Sequence, residues 1–342
     1  MTIKQRPFNQ KHPQRPLLSI IIPVFNERDV LPLCLERLDS AIKQLDINTE
    51  YLFVDDGSRD GSAEYLAEQS SAEATIHTIR LSRNFGKESA LSAGIDHARG
   101  DAIIILDADL QDPPELIPKM VTQWLQGADV VLMQRRSRAG ESWLKRTTAH
   151  LFYRLLQRIS HTHIPEDTGD FRLMSKRAVE ALKQLPERNR FMKGLFAWVG
   201  MPTVVLKYDR HPRAAGTSKW DYLGLLQLAF EGITSFSISP LRWTMGFGIL
   251  ASLIGATFGL WVVFKAVILG DPVQGYPSLI SIITFLGGIQ LLAIGIVGEY
   301  VGKTYIEAKQ RPNYLVCDMT HTPNIINMHP DNQQEKTHAQ AS

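Results

Sequence analysis

The chain has 342 residues, enough for a sizeable core plus further elements, so one or two domains are expected and two is the working count. Lys and Arg number 37 against 35 Asp and Glu, a net charge of +2, which gives no global reason to invoke nucleic acid and makes any cationic binding site a local one. The two cysteines, Cys34 and Cys317, lie far apart and outside any metal-ligand spacing, which argues against a disulfide framework or a zinc site and suits a reducing compartment.

Residues 1–16 are polar and mildly basic with no apolar run, so a flexible tail rather than a cleavable signal peptide is expected, and the domain that follows should stay in the cytoplasm. From Leu17 to about Met133, short β-branched runs alternate with amphipathic stretches, the pattern of a doubly wound, mostly parallel α/β layer. Leu18 to Val24, Tyr51 to Val54, Ile76 to Leu81, Ala102 to Leu106 and Val130 to Met133 read as strands buried on both faces. Between the first two, Val30, Leu31, Cys34, Leu38, Ile42 and Leu45 recur at helical spacing and form a stripe that packs on the sheet. Beyond Arg135 the pattern is mixed, with helices expected around Leu144 to Ile159 and Ala178 to Gln184 and a strand at Thr203 to Tyr208; the α/β domain is taken as residues 17–222.

Residues 223–240 read as an amphipathic segment lying along a bilayer surface. Trp243 to Phe264 carries no charge, and Leu279 to Gly298 has only Gln290 as a strongly polar residue, so membrane spans are expected at 241–269 and 279–302, each able to cross ~30 Å of hydrocarbon. The joining loop, 270–278, has Asp271 but no Lys or Arg, whereas Arg242, Lys303, Lys309 and Arg311 flank the spans. By the positive-inside rule the loop is periplasmic and both chain ends are cytoplasmic, which places the chain in an inner membrane as a multi-pass protein. Residues 303–342 form a cytoplasmic tail, expected to be disordered from Asp318 onward, and no internal repeat is present.

The strongest local signal is Asp107-Ala108-Asp109-Leu110-Gln111-Asp112-Pro113-Pro114, directly after a buried strand. In an open parallel sheet the ligand site lies outside the carboxyl ends of the strands. In an extended segment residues i and i+2 point the same way, so Asp107 and Asp109 can converge on a hard cation, Mg²⁺ or Mn²⁺, with Gln111 as a third oxygen ligand. Such an ion neutralises a leaving diphosphate. A solvated acidic turn is the competing reading. Asp55-Asp56-Gly57-Ser58 follows the second strand; tight-turn chemistry explains it, and so does a carboxylate accepting the N3 proton of a uracil ring. Phe25, at the end of the first strand, can pack on a base. Basic residues fall at Arg135, Arg136 and Arg138 and at Arg210, Arg213 and Lys219, either as a solvated face or as a grip on an anionic lipid headgroup, with the segment from Arg135 to Glu141 able to close over a bound ligand. His161 and His163 are read as surface residues.

Taken together, Pro23 to Glu27, Asp55 to Ser58, Arg83-Asn84-Phe85-Gly86-Lys87 and Asp107 to Pro114 resemble the family 2 glycosyltransferases of GT-A fold, and within them the polyprenyl-phosphate branch that includes bactoprenol glucosyltransferases and dolichol-phosphate mannose synthases. The resemblance runs from about Leu17 to Arg311. It implies that Pro23, Phe25, Glu27 and Asp56 hold the nucleoside, joined by Asp55, Ser58 and Lys87 as nucleotide-sugar contacts, while Asp107, Asp109 and Gln111 hold the metal and diphosphate. It further implies that Asp170, in Thr168-Gly169-Asp170-Phe171-Arg172, stands where a catalytic base is proposed, acting with Asp109, and that Arg172 contacts a phosphate. Since a phosphate monoester has its second pKa at ~6 and hardly needs deprotonating, Asp170 is expected to orient the acceptor or the sugar as much as to remove a proton. The activity implied is inverting transfer of one sugar, glucose first, from a UDP-sugar to undecaprenyl phosphate. Aminoarabinose and N-acetylhexosamine use the same motifs. A processive polysaccharide synthase is disfavoured because Ser239 stands where Gln precedes Arg242-Trp243 in such enzymes; a non-catalytic nucleotide-binding module is disfavoured by the intact acids. Homo-oligomerisation through the spans or their flanks is left open.

Overall fold

A computed structural model of the chain describes residues 15–136, 165, 168–209, 234, 237–269 and 275–322. The chain divides into two units, one of Met1–Tyr153, His163–Trp220 and Pro312–Ser342, the other of Arg154–Thr162 and Asp221–Arg311.

The first unit is built on an eight-stranded sheet of order β7-β5-β6-β4-β1-β2-β3-β8, from β1 (Leu17–Val24), β2 (Asn48–Asp55), β3 (Thr75–Leu81), β4 (Ala102–Ile105), β5 (Val130–Arg135), β6 (Thr168–Ser175), β7 (Thr203–Tyr208) and β8 (Val316–Thr322). The four strands at its centre, β4-β1-β2-β3, are parallel, as expected for runs of Ile, Val and Leu buried on both faces. Helices α1 (Leu31–Ile42), α2 (Ser62–Glu68), α3 (Lys87–His97) and α4 (Ile117–Leu125) fill the gaps between the early strands, and α5 (Lys176–Lys183) and α6 (Met192–Trp198) follow β6. The predicted stripe of the first helix is confirmed: Leu31, Cys34, Leu38 and Ile42 are buried in the core with Tyr51, Phe53 and Leu106.

Two strands depart from the sequence reading. β6 lies antiparallel between β4 and β5, so the sheet is mixed rather than doubly wound throughout. β8 pairs antiparallel with β3, from Ile76↔Thr322 to Leu81↔Val316, where disorder from Asp318 is expected. The ladder's repeated hydrogen bonds order a segment that has no apolar periodicity of its own. Tyr314 joins it, donating its hydroxyl to Asp96 Oδ2 at 2.9 Å.

The second unit contains α7 (Ser239–Leu269) and α8 (Tyr276–Lys309), which pack on each other. Lys303 Nζ donates to Thr234 Oγ1 at 2.6 Å, and the Tyr300 hydroxyl donates to the Ser237 carbonyl. Two stretches, Ser239–Trp261 and Phe285–Lys309, are long and apolar enough to cross a membrane, and their large apolar side chains, Phe247, Leu260, Leu291 and Ile294 among them, lie exposed. Helices apolar all round belong in a core or a bilayer. The helix expected around 144–159 and residues 223–233 of the expected surface segment lie outside the described residues.

Candidate active site

The site forms where β1, β2, β3 and β4 end. Leu110, a buried and bulky residue, is held at φ 56°, and Asn26, just past β1, at φ 54°. Non-glycine residues there are strained, and such strain concentrates at functional turns. Gln111 N–H donates to Asp109 Oδ1 at 3.1 Å, closing the turn after β4.

The loop after β2 holds the site together. Asp56 accepts from Phe85 N–H at 2.7 Å and from Gly86 N–H at 2.9 Å, one with each oxygen, and so aims the first turn of α3. Gly57 makes this approach possible: it sits at φ +72°, and a Cβ there would lie 2.7 Å from the Arg83 carbonyl carbon and 2.8 Å from Asn84 N. Ser58 Oγ accepts from Asn26 N–H at 2.9 Å, and Ser58 N–H donates to Asp55 Oδ1 at 3.0 Å. Asp55 is 0% exposed and Asp56 3% exposed. Burial pushes both carboxyls upward, against the hydrogen bonds they accept. Asp55, Asp56 and Ser58 thus hold the loop after β2 against the turns after β1 and β3, at the strand ends where the nucleotide contact is expected of them. Pro23 and Glu27 are partly exposed and Phe25 is 37% exposed at the end of β1.

Lys87, the first residue of α3, is the centre of charge. Its Nζ lies 2.6 Å from Asp107 Oδ1 and 2.7 Å from Asp170 Oδ2. β6 explains the meeting: it pairs with β4 at Ile105↔Arg172, and the same antiparallel register carried two residues further sets Asp107 opposite Asp170. Two facing carboxylates need a cation between them, and Lys87 supplies it. Burial works to raise the Asp170 carboxyl, but Lys87, Lys193 and Arg172 overcome it and hold the group well below the usual carboxylate range. A base so acidic removes protons poorly. Glu88, next to Lys87, goes the other way: burial, with the Asp170 charge second, pushes its carboxyl up to about 7.

The expected phosphate-binding arginines divide. Arg172 shares one face of β6 with Asp170, by the i, i+2 rule, but is only 5% exposed. It donates to the Gly169 carbonyl at 2.7 Å and to the Asp170 carbonyl at 3.4 Å, and its Cζ lies 4.0 Å from the centre of the Phe196 ring. Burial lowers its guanidinium to about 10, against the raising effect of Asp170. These contacts brace the Asp170 backbone, next to the place where a phosphate contact is expected of Arg172. Arg135 acts electrostatically with Asp112 and Tyr208, whose hydroxyl hydrogen-bonds Asp112 Oδ1, so it belongs to a network beside the site. Arg136 is exposed and pairs with Asp209 at 3.3 Å. Arg138, Arg210, Arg213, Lys219, His161 and His163 lie outside the described residues.

Residues 19–183 match Glycosyl transferase family 2. An uncharacterized glycosyltransferase of Synechocystis is 49% identical over 88% of this chain and 95% of its own length. The bactoprenol glucosyl transferase of Shigella phage SfV is 46% identical over 87% of this chain and 97% of its own. The chain belongs to glycosyl transferase family 2. An Escherichia coli prophage bactoprenol glucosyl transferase homolog, 45% identical over 87% of this chain and 98% of its own, agrees.

This family 2 glycosyltransferase has a fold of the GT-A type, mixed α/β. Its donor set suits a divalent ion that arrives with a diphosphate. Among the described residues no three His, Cys, Asp or Glu side chains converge as a ready-made cage. Mg²⁺ and Mn²⁺ commonly take one or two carboxylates and complete their shell with phosphate oxygens and water. Asp107 and Asp109 are such carboxylates, and Asp107 Oδ1 is buried without a well-formed hydrogen bond although Lys87 touches it. Reading the sequence of the glycosyltransferase misses Glu88, Lys193, Asp112 and Tyr208. Asp112 carries a local signal, lying inside Asp107 to Pro114, while Glu88 follows the Lys87 motif by one residue; Lys193 and Tyr208 carry none.

Proposed function

We propose that the chain transfers one glucose from UDP-glucose to the phosphate of a polyprenyl phosphate, with inversion, at a membrane. The observation that carries this reading is the near full-length identity to proteins named bactoprenol glucosyl transferase, 45–46% over 87% of the chain, with the acids of the site in place. A divalent ion held by Asp107 and Asp109, with Gln111, would neutralise the departing diphosphate. Pro23, Phe25 and Glu27 line the nucleoside side. Asp170, fixed as an anion by Lys87 and braced by Arg172, orients the acceptor or the sugar rather than taking a proton. A phosphate oxygen attacks the anomeric carbon, the bond from that carbon to UDP breaks, and the products are glucosyl phosphoprenol and UDP. The dianionic acceptor has no proton to lose, which fits an Asp170 too acidic to act as a base.

Both ends of the apolar hairpin lead into one sheet, β7 before it and β8 after it. That connectivity favours an even number of crossings, with both ends on the cytoplasmic side as the flanking Arg242, Lys303, Lys309 and Arg311 indicate.

The test is to incubate the full-length protein with undecaprenyl phosphate and a panel of UDP- and GDP-sugars, with Mn²⁺ or with a chelator. The expected outcome is a glucosylated lipid and one UDP per transfer, from UDP-glucose alone, abolished by chelation and restored by Mn²⁺. Transfer from a different donor removes glucose from the reading; UDP release without a lipid product removes the acceptor.

A further inference from the structure

Around Asp170 the described cations differ in what they already hold. Arg172 is enclosed and spends its guanidinium on the Gly169 and Asp170 carbonyls and on the Phe196 ring. Lys87 divides its charge between Asp107 and Asp170. Lys193, the second residue of α6, stays partly exposed, and its charge acts on both Asp170 and Glu88.

Contacts on either side fix where Lys193 stands. Glu88 Oε2 accepts from the N–H of Met192 at 3.1 Å, tying the start of α6 to the first turn of α3. Phe196, three residues beyond Lys193, receives Arg172 on its ring face at 4.0 Å. The ammonium is thus carried by a segment anchored to α3 and to β6, both of which also build the Lys87–Asp170 pair.

We propose that Lys193 is a further binding residue for the phosphate of the acceptor, with Glu88 as the positioning residue that holds it beside Asp170. The inference rests on the polyprenyl-phosphate reading above. A phosphate monoester brings close to two negative charges at neutral pH, and a lysine already shared by two carboxylates cannot balance them. Lys193 adds a full positive charge on the acceptor side, binding the phosphate as a point charge. The groups facing Glu88 are Lys87 on its own helix, Asp170 and Arg172 on β6, and Lys193 on α6. Burial keeps Glu88 protonated up to about 7, so it holds the Met192 amide without cancelling the charge of Lys193.

The experiment titrates undecaprenyl phosphate against the intrinsic tryptophan fluorescence of the full-length protein, and separately measures KM for UDP-glucose. K193A is expected to weaken lipid-phosphate binding about ten-fold or more while KM for UDP-glucose stays within about two-fold, and K193R to recover at least about half of the loss on a logarithmic scale. E88Q, which keeps an oxygen for the Met192 amide, retains the lipid affinity, and E88A loses it. Unchanged lipid affinity in K193A overturns the proposal, as does an equal loss toward both substrates, which a merely structural role would produce. Unchanged lipid affinity in E88A overturns the positioning role of Glu88. A loss in K193A of competition by inorganic phosphate, with lipid binding intact, also overturns it by making Lys193 a general anion contact. Wild-type protein that binds the lipid phosphate yet transfers nothing from UDP-glucose removes the donor from the functional reading and leaves this inference standing.

Discussion

Glu88 carries a consequence for stability as well as for binding. Its folded carboxyl titrates near 7, raised first by burial and then by Asp170, whereas an unfolded glutamate titrates at ~4.3. Between those values the folded chain keeps a proton that the unfolded chain releases, so stability falls as pH rises through that window. The unfolding free energy of the wild type should therefore drop between pH 5 and pH 8 by ~1–3 kcal/mol more than that of E88Q, read as a larger fall in melting temperature. Parallel pH profiles for the two chains would show that Glu88 is not the group responsible. At this scale the sequence reveals residues whose neighbours are local. Asp107 and Asp109 were legible because they follow a buried strand in a fold whose strand ends bind ligands. The Glu88–Met192 bond joins residues 104 apart and the Tyr208–Asp112 bond residues 96 apart, distances over which no spacing rule operates.

Among the elements, β6 and β8 are the ones that periodicity cannot find. Thr168-Gly169-Asp170-Phe171-Arg172 mixes a glycine with two charges and shows no strand alternation, yet both flanking strands supply its ladder. β8 gains little from burial, since Val316 is 37% and Met319 49% exposed; its backbone pairing and the Tyr314 anchor hold it. Removing residues 312–342 should cost about 1–3 kcal/mol, a few backbone hydrogen bonds net of their exchange with water, and leave the outer edge of β3 open to association. Thermal scans and light scattering on the truncated and full chains check this; equal melting and no added scattering would mean that β8 contributes nothing to the edge.

On the scale of the whole molecule, α7 and α8 present apolar side chains on every side, with Leu260 and Leu291 among the most exposed. In water such a surface aggregates; in hydrocarbon it is at equilibrium. Alkaline carbonate washing should leave the chain in the membrane pellet, and its appearance in the supernatant would count against spans.

The periodic elements, the parallel centre of the sheet, the acidic turn after β4 and the apolar helices were all set by local composition, because hydrophobic period and charge-free length are properties of contiguous residues. Tertiary structure alone decided that Asp170 faces Asp107 across an antiparallel register, that Lys87 bridges them, that Arg172 and Asp56 turn inward as braces, and that the chain returns after α8 to close the sheet. Each of these depends on which strands become neighbours, and burial and hydrogen bonding between distant segments settle that only once the whole domain has folded.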